Sequence, residues 1–422
     1  MKILVINAGS SSLKFTVFDF SWLGRQVTLA TGQVECIGLS NPHLIYTRGQ
    51  GMKTKLDIEV DEKRAKAGKY LTHSAALEYI CSKLLDPEEG VLTSIADVIA
   101  IGHRVVHGGE TITEPVIVDK DVKKIIKDCF ELAPLHNPHN LAGIEACEKL
   151  FPGIPNVAIF DTAFHQTMPP EAYIYAIPYE LYTKYGIRKY GFHGTSHHYV
   201  ATATASYLKV SFEELKLITC HLGNGASMAA IDKGKVIDTS MGMTPLEGLV
   251  MGTRCGDIDP AIVLRLLELG HTAEEVDKIL NKKSGLFGVA GINSSDFRDV
   301  MQAAGKGNEQ AALAISLFVN RIVKYTGAYS ALLNGADAIV FTGGIGEHSN
   351  EIRERVLEKL SSLGVFVDKK LNVRNIGNEA VTISTIESHM KAIVMPTNEE
   401  LMIAKESVEV LLRENRLRLV SV

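Results

Sequence analysis

The chain has 422 residues, 46% apolar and 22% charged, an ordinary globular composition but too long for one core, so two to three domains are expected. A formal net charge of −5 argues against a dedicated nucleic-acid binder, which would carry a basic face, but leaves room for local phosphate binding by backbone N–H groups and a few cations. The apolar runs are too short for a membrane helix, and the six cysteines form no C-x-x-C pair or zinc-like cluster, which points to a reduced cytoplasm as the compartment.

In chain order, apolar runs alternate with helical patterns, the mark of an α/β protein. The opening KILVINAGSSSLKFTVFDF reads as a strand at Ile3–Ile6, a small-residue turn at Asn7–Ser12 and a second strand at Leu13–Phe20. Asn7 and Gly9 interrupt any signal-peptide core. The same design recurs downstream, with strands at Leu217–Cys220 and Met228–Ile231 around a turn at His221–Ser227, and hints at a duplicated fold. In DPAIVLRLLELG, Asp259 is a candidate cap, Pro260 a first helical residue and Gly270 a stop. ADAIVF reads as a buried strand, GGIGE as the turn after it, and SNEIRERVLEKLSSLG as the next helix. Thr397 and Glu400 have capping-box spacing before a helix whose apolar stripe is Leu401, Ala404, Val408, Leu411 and Leu412.

Three glycine-bearing turns stand out. NAGSSSLK lets the backbone approach an anion with Lys14 beside it, although the turn alone reads equally as a plain hairpin tip. It is not a Walker A loop, since G-x-x-x-x-G-K-[ST] is absent. HLGNGAS (221–227) and GGIGE (343–347) suit phosphate or ribose contacts, the latter because a strand precedes it and a helix follows. Between them lie motifs dense in Arg and His: His103, Arg104 and His107; His136; Asp161 and His165; His193, His197 and His198; Arg254, Asp257 and Asp259. Taken alone, each His is more often a structural residue than a catalytic one, and Arg104 reads as readily as a surface or interdomain ion-pair residue. Together they suit phosphoryl transfer, which asks for positioning and for cations around the equatorial oxygens.

The segments VINAGSSSLKF, GHRVVHGGE, YGFHGTSH, HLGNGAS, MGTRCGDIDP, SSDFRD, GGIGE and PTNEE follow one another in the order seen in acetate kinases, from residue 3 to about residue 404. The chain thus resembles the acetokinase family, within the acetate and sugar kinase/heat-shock chaperone/actin superfamily. The resemblance implies an α/β fold of two related RNase H-like domains with the active site in the cleft between them. The first would be residues 1–163 completed by 400–422, the second 164–399 with the adenosine site. It implies that Asn7 and Glu399 hold Mg2+ (Mn2+ substituting) through water. Ser10, Ser12, Lys14 and the His221, Leu222, Gly223, Asn224, Gly225 turn would approach the ATP phosphates. Asp296, Phe297 and Arg298, with Gly344, Ile345, Gly346, Glu347 and His348, would surround the adenosine. Arg104 and Arg254 would bind acetate and the transferring phosphoryl group, His193 and Arg254 would stabilise the transition state, and His136 would lie beside them. Val106, Leu135, Phe192 and Pro245 would receive the acetate methyl. A homodimer is implied, with no nucleic-acid or membrane partner.

The sequence departs from the family pattern at His348, where Asn is usual, and at Cys255, where Ser is common. The segment between residues 20 and 100 matches least and is expected to hold surface insertions. The reaction expected is direct in-line transfer from ATP to acetate, giving acetyl phosphate and ADP. Asp161 is the family's candidate acid/base, but a carboxylate substrate is already ionised at pH 7, so an organising role fits better, with a buried ion-pair Asp as the alternative. A propionate or butyrate kinase, a nucleotide-switched chaperone or filament protein, and a phosphatase acting on phosphoanhydrides remain as rivals.

Overall fold

The opening apolar run forms β1 (Lys2–Ala8), and the chain returns antiparallel as β2 (Ser12–Phe20), with Ala8 opposite Leu13. In the computed structural model residues 1–21, 25–59, 70–374, 377 and 379–416 are described. The chain divides into two compact units, Met1–Ala163 with Glu399–Val422, and Phe164–Asn398.

The sheet of the first unit continues through β3 (Gln26–Glu35), β4 (His43–Arg48), β5 (Thr54–Asp57), β6 (Val98–Val105), β7 (Val116–Ile117) and β8 (Asn156–Phe160). Its spatial order is β5-β4-β3-β2-β1-β6-β8-β7, with β1, β6 and β8 parallel. All of β8 is buried, as expected for a parallel strand covered on both faces. The helices Asn137–Leu150 and Glu399–Arg413 both pack on β1, β6 and β8. Gly102 on β6 permits the close approach of the terminal helix. A Cβ there would sit 2.6 Å from Ser407 Oγ and 2.7 Å from Ile403 Cγ2.

The second unit holds β9 (Lys216–Leu222), β10 (Ala226–Asp232), β11 (Lys235–Thr239), β12 (Ala338–Thr342), β13 (Val381–Thr382) and β14 (Lys391–Val394). The order is β11-β10-β9-β12-β14-β13, and β9, β12 and β14 are parallel. Each sheet thus contains the same run, an antiparallel meander followed by two strands parallel to its first strand. Among the described residues no helix is long and apolar enough to cross a membrane.

Several expectations shift. Both hairpins are longer than the apolar runs suggest, because ladder pairing carries the strands through polar residues: Asn7 pairs with Lys14, and His221 with Ser227. GGIGE is itself helical, the start of Gly343–His348, and the next helix is Asn350–Glu358. Pro260 caps the helix Ala261–Glu268 instead of starting it, and the Asp259 carboxylate accepts from the Ala261 N–H. The Thr397 hydroxyl pairs with Ser196 (2.9 Å). Glu399, taken from sequence as the last residue of the second domain, is the first residue of the terminal helix and belongs to the first unit. That helix buries Met402, Ile403, Ser407 and Val410 as well as Leu401, Ala404 and Leu411, while Val408 and Leu412 are only half-buried. The segment 20–100 is more than surface insertion: it supplies β3 to β5 and core residues such as Ala30, Leu44 and Tyr46. Its residues 22–24 and 60–69 lie outside the described residues.

Gly102→Ala should lower stability by about 1–3 kcal/mol through overpacking against the terminal helix, read as a reduced urea midpoint at an unchanged slope. A midpoint equal to that of the parent chain would show that the helix has room to move.

Candidate active site

Sheet register builds the charged group of the first unit. On β6, Arg104 lies opposite Ile159 of β8, and Asp161, just past β8, donates its backbone N–H to Val105 O at 2.9 Å. The side chains therefore meet. Arg104 Nε donates to Asp161 Oδ1 at 3.0 Å and Nη2 to Oδ2 at 2.6 Å, the two-pronged geometry that fixes a guanidinium plane. Asp161 is 2% exposed. Glu399 Oε2 lies 4.0 Å from Arg104 Nε. Burial pushes the Glu399 carboxyl upward; Arg104 pulls it down, Asp161 pushes it up and Lys14 pulls it down, leaving it above the usual range. A carboxylate disfavoured in this way would be stabilised by a cation.

The turn at Gly9–Ser11 is closed by the Gly9 N–H donating to Ser12 O (2.8 Å). His73, which the sequence did not single out, meets Gly9 O through Nε2 at 2.7 Å. Ser10 and Lys14 are exposed, and Asn7 is half-buried. Asn140 ties this turn to the strand that carries Arg104: its Nδ2 donates to Ala8 O (2.8 Å), and its Oδ1 accepts from the Val106 N–H (3.1 Å). Asn137 likewise pairs with both the N–H and the C=O of His107. The asparagines of LHNPHN thus work as splints. His136 itself is exposed at the start of the helix Asn137–Leu150. Val106 is buried, and Leu135 is 61% exposed. His103 bonds Asn156 (2.7 Å), and burial lowers its pKa to about 4, so it is a neutral core residue.

In the second unit His193 caps the helix Gly194–Leu208 with φ 57° and ψ 23°, a left-handed conformation that costs a non-glycine residue on the order of 1 kcal/mol. Its Nδ1 meets Ser227 Oγ at 2.8 Å, and its ring stacks on His221 with centroids 4.4 Å apart. Ser227 Oγ also meets His197 Nε2 at 2.8 Å, and His197 Nδ1 meets Thr219 Oγ1 at 2.7 Å. His197 is fully buried; burial, then His165 and His221, hold its pKa well below the usual value. The neutral His197 and the Ser227 hydroxyl therefore orient His193 from behind. In front, a Cβ on Gly225 would lie 3.4 Å from His193 Nε2 and 3.6 Å from Arg254 Nη1, so the HLGNGAS turn brings both side chains to one place. Arg254 Nη1 donates to Pro245 O (3.0 Å), and among the described residues no carboxylate pairs with Arg254. Burial alone lowers its pKa. A half-buried guanidinium without a counter-ion is an anion site. Phe192 is buried beside His193, and its carbonyl meets His165 Nε2 at 2.9 Å.

Next to that turn opens a cavity of about 810 Å³, within the size range of a ligand site. Gly223, Asn224, Asp296, Phe297, Arg298, Gly344, Ile345 and His348 line it, which gathers most of the residues marked for adenosine. Gly252, Ser295, Met301 and Glu351 also line it; they lie in or beside the same motifs but carry no signal of their own. Gly346 and Glu347 are not in the lining. Glu347 Oε1 instead accepts from the N–H groups of Gly343 (2.9 Å) and Thr397 (3.1 Å). Arg298 donates to Asp296 from Nε (3.0 Å) and Nη2 (2.6 Å), and these bonds together with the Arg298 N–H hold the Asp296 carboxyl down at about 2.

Comparison with known proteins decides the family. A sequence profile described as Acetokinase family matches residues 2–405. The chain belongs to the acetokinase family. It is 52% identical over 411 residues to the acetate kinase of Halothermothrix orenii, covering 97% of this chain and 99% of that one. It is 52% identical over 419 residues to the acetate kinase of Methanosarcina thermophila, covering 99% of each. Among solved structures it matches Porphyromonas gingivalis acetate kinase with a TM-score of 0.89 and 44% identity, covering 97% of this chain and 99% of that one. A propionate kinase from Francisella tularensis follows with a TM-score of 0.85 and 42% identity, covering 96% and 98%.

The Arg104–Asp161 pair should be strongly coupled. Asp161→Asn and Arg104→Gln should each cost up to about 3 kcal/mol, and the double variant clearly less than their sum, because each single change strands the other partner. Urea unfolding of the four proteins measures the coupling; simple additivity would mean that solvent already screens the pair.

Proposed function

We propose that this acetokinase-family chain is an ATP-dependent kinase of acetate that works by direct in-line transfer. One acetate oxygen attacks the γ-phosphorus, the bond from γ-phosphorus to the β–γ bridging oxygen breaks, and acetyl phosphate and ADP result; the reverse makes ATP. The observation that carries this reading is Arg254, a half-buried cation without a carboxylate partner, beside His193 at the glycine turn that borders the large cavity. Developing charge on the phosphoryl oxygens is met there by donors fixed before substrate arrives, and such preorganised donors supply most of the rate enhancement in many enzymes. His193 donates or accepts at the same place, held by Ser227. Arg104 offers its remaining N–H groups to a carboxylate or phosphoryl oxygen while Asp161 holds the plane of its guanidinium. Asp161 acts as an organiser, since acetate needs no base to become a nucleophile.

The oxygen donors of Asn7 and Glu399 suit Mg2+, which takes one or two carboxylates, waters and substrate phosphates in preference to a full protein cage. The described residues contain no cluster of three His, Cys, Asp or Glu able to hold a metal alone. When bound, the cation neutralises phosphate charge. Ser10, Ser12 and Lys14 at one turn and His221 to Gly225 at the other are proposed for the phosphates, and the 810 Å³ cavity for the adenosine.

The shared strand order of the two sheets supports the reading of two related RNase H-like units of actin-type ATPase descent. Val106 and Leu135 of the first unit, and Phe192 and Pro245 of the second, are the residues proposed for the acetate methyl; Val106 and Phe192 are buried. A second copy of the chain is the proposed partner. The helix Ala261–Glu268 buries none of its residues, and it exposes Ile262, Leu264 and Leu267 with Leu269 following. Apolar helix faces of this kind are normally covered.

ATP-dependent hydroxamate formation in hydroxylamine tests the reaction. Acetate should be used best, propionate less well and butyrate poorly, because one methylene in an apolar pocket is worth about 1–3 kcal/mol. Val106→Ala should raise kcat/KM for propionate relative to acetate. A parent-chain preference for butyrate, or no product with any of the three acids, would refute the assignment. For the partner, sedimentation should give twice the chain mass, and Leu264→Glu should give the single-chain mass; a parent chain that sediments as a monomer would remove the dimer.

A further inference from the structure

The loop from residue 240 to residue 260 carries both Pro245 and Arg254 but contains no helix or strand. Something other than a ladder must hold Arg254 still. The backbone around it is pinned at intervals: Gly252 N–H donates to Asn224 O (2.9 Å), Cys255 N–H to Leu280 O (3.0 Å) and Ser284 N–H to Thr253 O (3.0 Å). The ends of the segment 248–257 are closed by one side chain. Asp257 Oδ1 accepts from the Gly248 N–H at 2.8 Å, and the Asp257 N–H donates back to Gly248 O at 3.0 Å.

That closure is locked to the long helix Glu309–Leu332 by two residues one turn apart. Arg321 Nη1 lies 3.1 Å from Asp257 Oδ2 and donates to Gly248 O at 2.6 Å, and its Nη2 donates to Asp257 O at 3.1 Å. The Tyr325 hydroxyl donates to Asp257 Oδ2 at 3.0 Å. Gly248 has φ +106°, and a Cβ there would collide with Ser240 O, so the closure also requires glycine. On the other side, Glu247 accepts from the Tyr175 hydroxyl, which in turn accepts from the Met243 N–H at 3.0 Å.

We infer that Asp257, clamped by Arg321 and Tyr325, is the positioning residue for Arg254: it closes the loop whose shape aims the Arg254 guanidinium at the transferring group. This rests on the reading that Arg254 touches that group. Asp257 touches no substrate; it acts through the loop. Loss of the clamp lets Arg254 sample more orientations, which weakens a transition-state contact more than it weakens nucleotide binding in the neighbouring cavity. The carboxylate is the hub because one group must accept from a backbone N–H, a guanidinium and a phenol together. An amide can keep the Gly248 bond through its oxygen, but its NH2 cannot accept from the phenol and it loses the charge opposite Arg321.

The test compares Asp257→Ala, Asp257→Asn, Tyr325→Phe and Arg254→Ala with the parent chain. It reads kcat, KM for acetate, ADP affinity by calorimetry and melting temperature. Asp257→Ala should lower kcat/KM for acetate by at least about tenfold while ADP affinity stays within about twofold. Asp257→Asn, which keeps the Gly248 bond, should recover part of the loss, and Tyr325→Phe should show a smaller loss of the same kind. Arg254→Ala should lose about 10²–10³-fold in kcat, the scale for one preorganised donor. Normal turnover in Asp257→Ala beside a crippled Arg254→Ala overturns this inference alone. Equal losses of ADP affinity and acetate kcat/KM in Asp257→Ala also overturn it, since they mark general disorder. Normal turnover in Arg254→Ala overturns the reading beneath it and this inference together. If Asp257→Ala does not fold, the double variant of Asp257→Asn with Tyr325→Phe carries the same expectations and the same refutations.

Discussion

The geometry of the first unit's charged group depends on one interaction, the two-pronged ion pair between Arg104 and the buried Asp161. Two parallel hydrogen bonds fix the guanidinium plane but leave part of its N–H fork unspent. The pair exists because β6 and β8 are parallel neighbours whose register sets Arg104 beside the end of β8. Sheet pairing, the Asn140 splint and the covering of β6 by the terminal helix are all upstream of that geometry. The terminal helix brings Glu399 to the same guanidinium, so a residue nearly three hundred positions away in sequence shares its charge.

In the second unit Arg254 has no carboxylate partner among the described residues. Arg254 rests on carbonyl and thioether acceptors, Pro245 O and Met251 Sδ, so its positive charge is desolvated but not cancelled. The cost of a bare buried charge is offset by a loop pinned along its length. His193 is treated alike: its left-handed backbone, the Ser227 hydroxyl and the stacked His221 leave one orientation for the ring. A strained backbone and a guanidinium with no carboxylate partner among the described residues gather here.

Histidine is abundant in the motifs, yet the structure sorts it into distinct jobs. His103 and His197 are buried, neutral and hydrogen-bonded, and they serve as packing and relay groups. His73 supports the first glycine turn. His193 alone combines a strained cap position with closeness to Arg254 across Gly225. Residue type could not separate these roles, because the imidazole ring is the same in each and only burial and partners differ.

The sequence by itself determined the α/β class, both glycine-tipped hairpins and the strand before GGIGE, and its family resemblance marked part of the lining of the large cavity. These are local or motif-borne: alternating apolar runs dictate strands, and small residues in a tight turn dictate a backbone that an anion can approach. What only the tertiary structure decided was how far each strand runs, that GGIGE is helical, that Thr397 pairs with Ser196 and that Leu135 is exposed. It also decided that Glu347 serves the backbone, and that Asp257 closes the Arg254 loop against Arg321 and Tyr325. The reason is that ladder extent, exposure and side-chain partnership depend on atoms distant in sequence. An Asp followed by Ile and another Asp carries no mark of the arginine and tyrosine more than sixty residues later that will hold it.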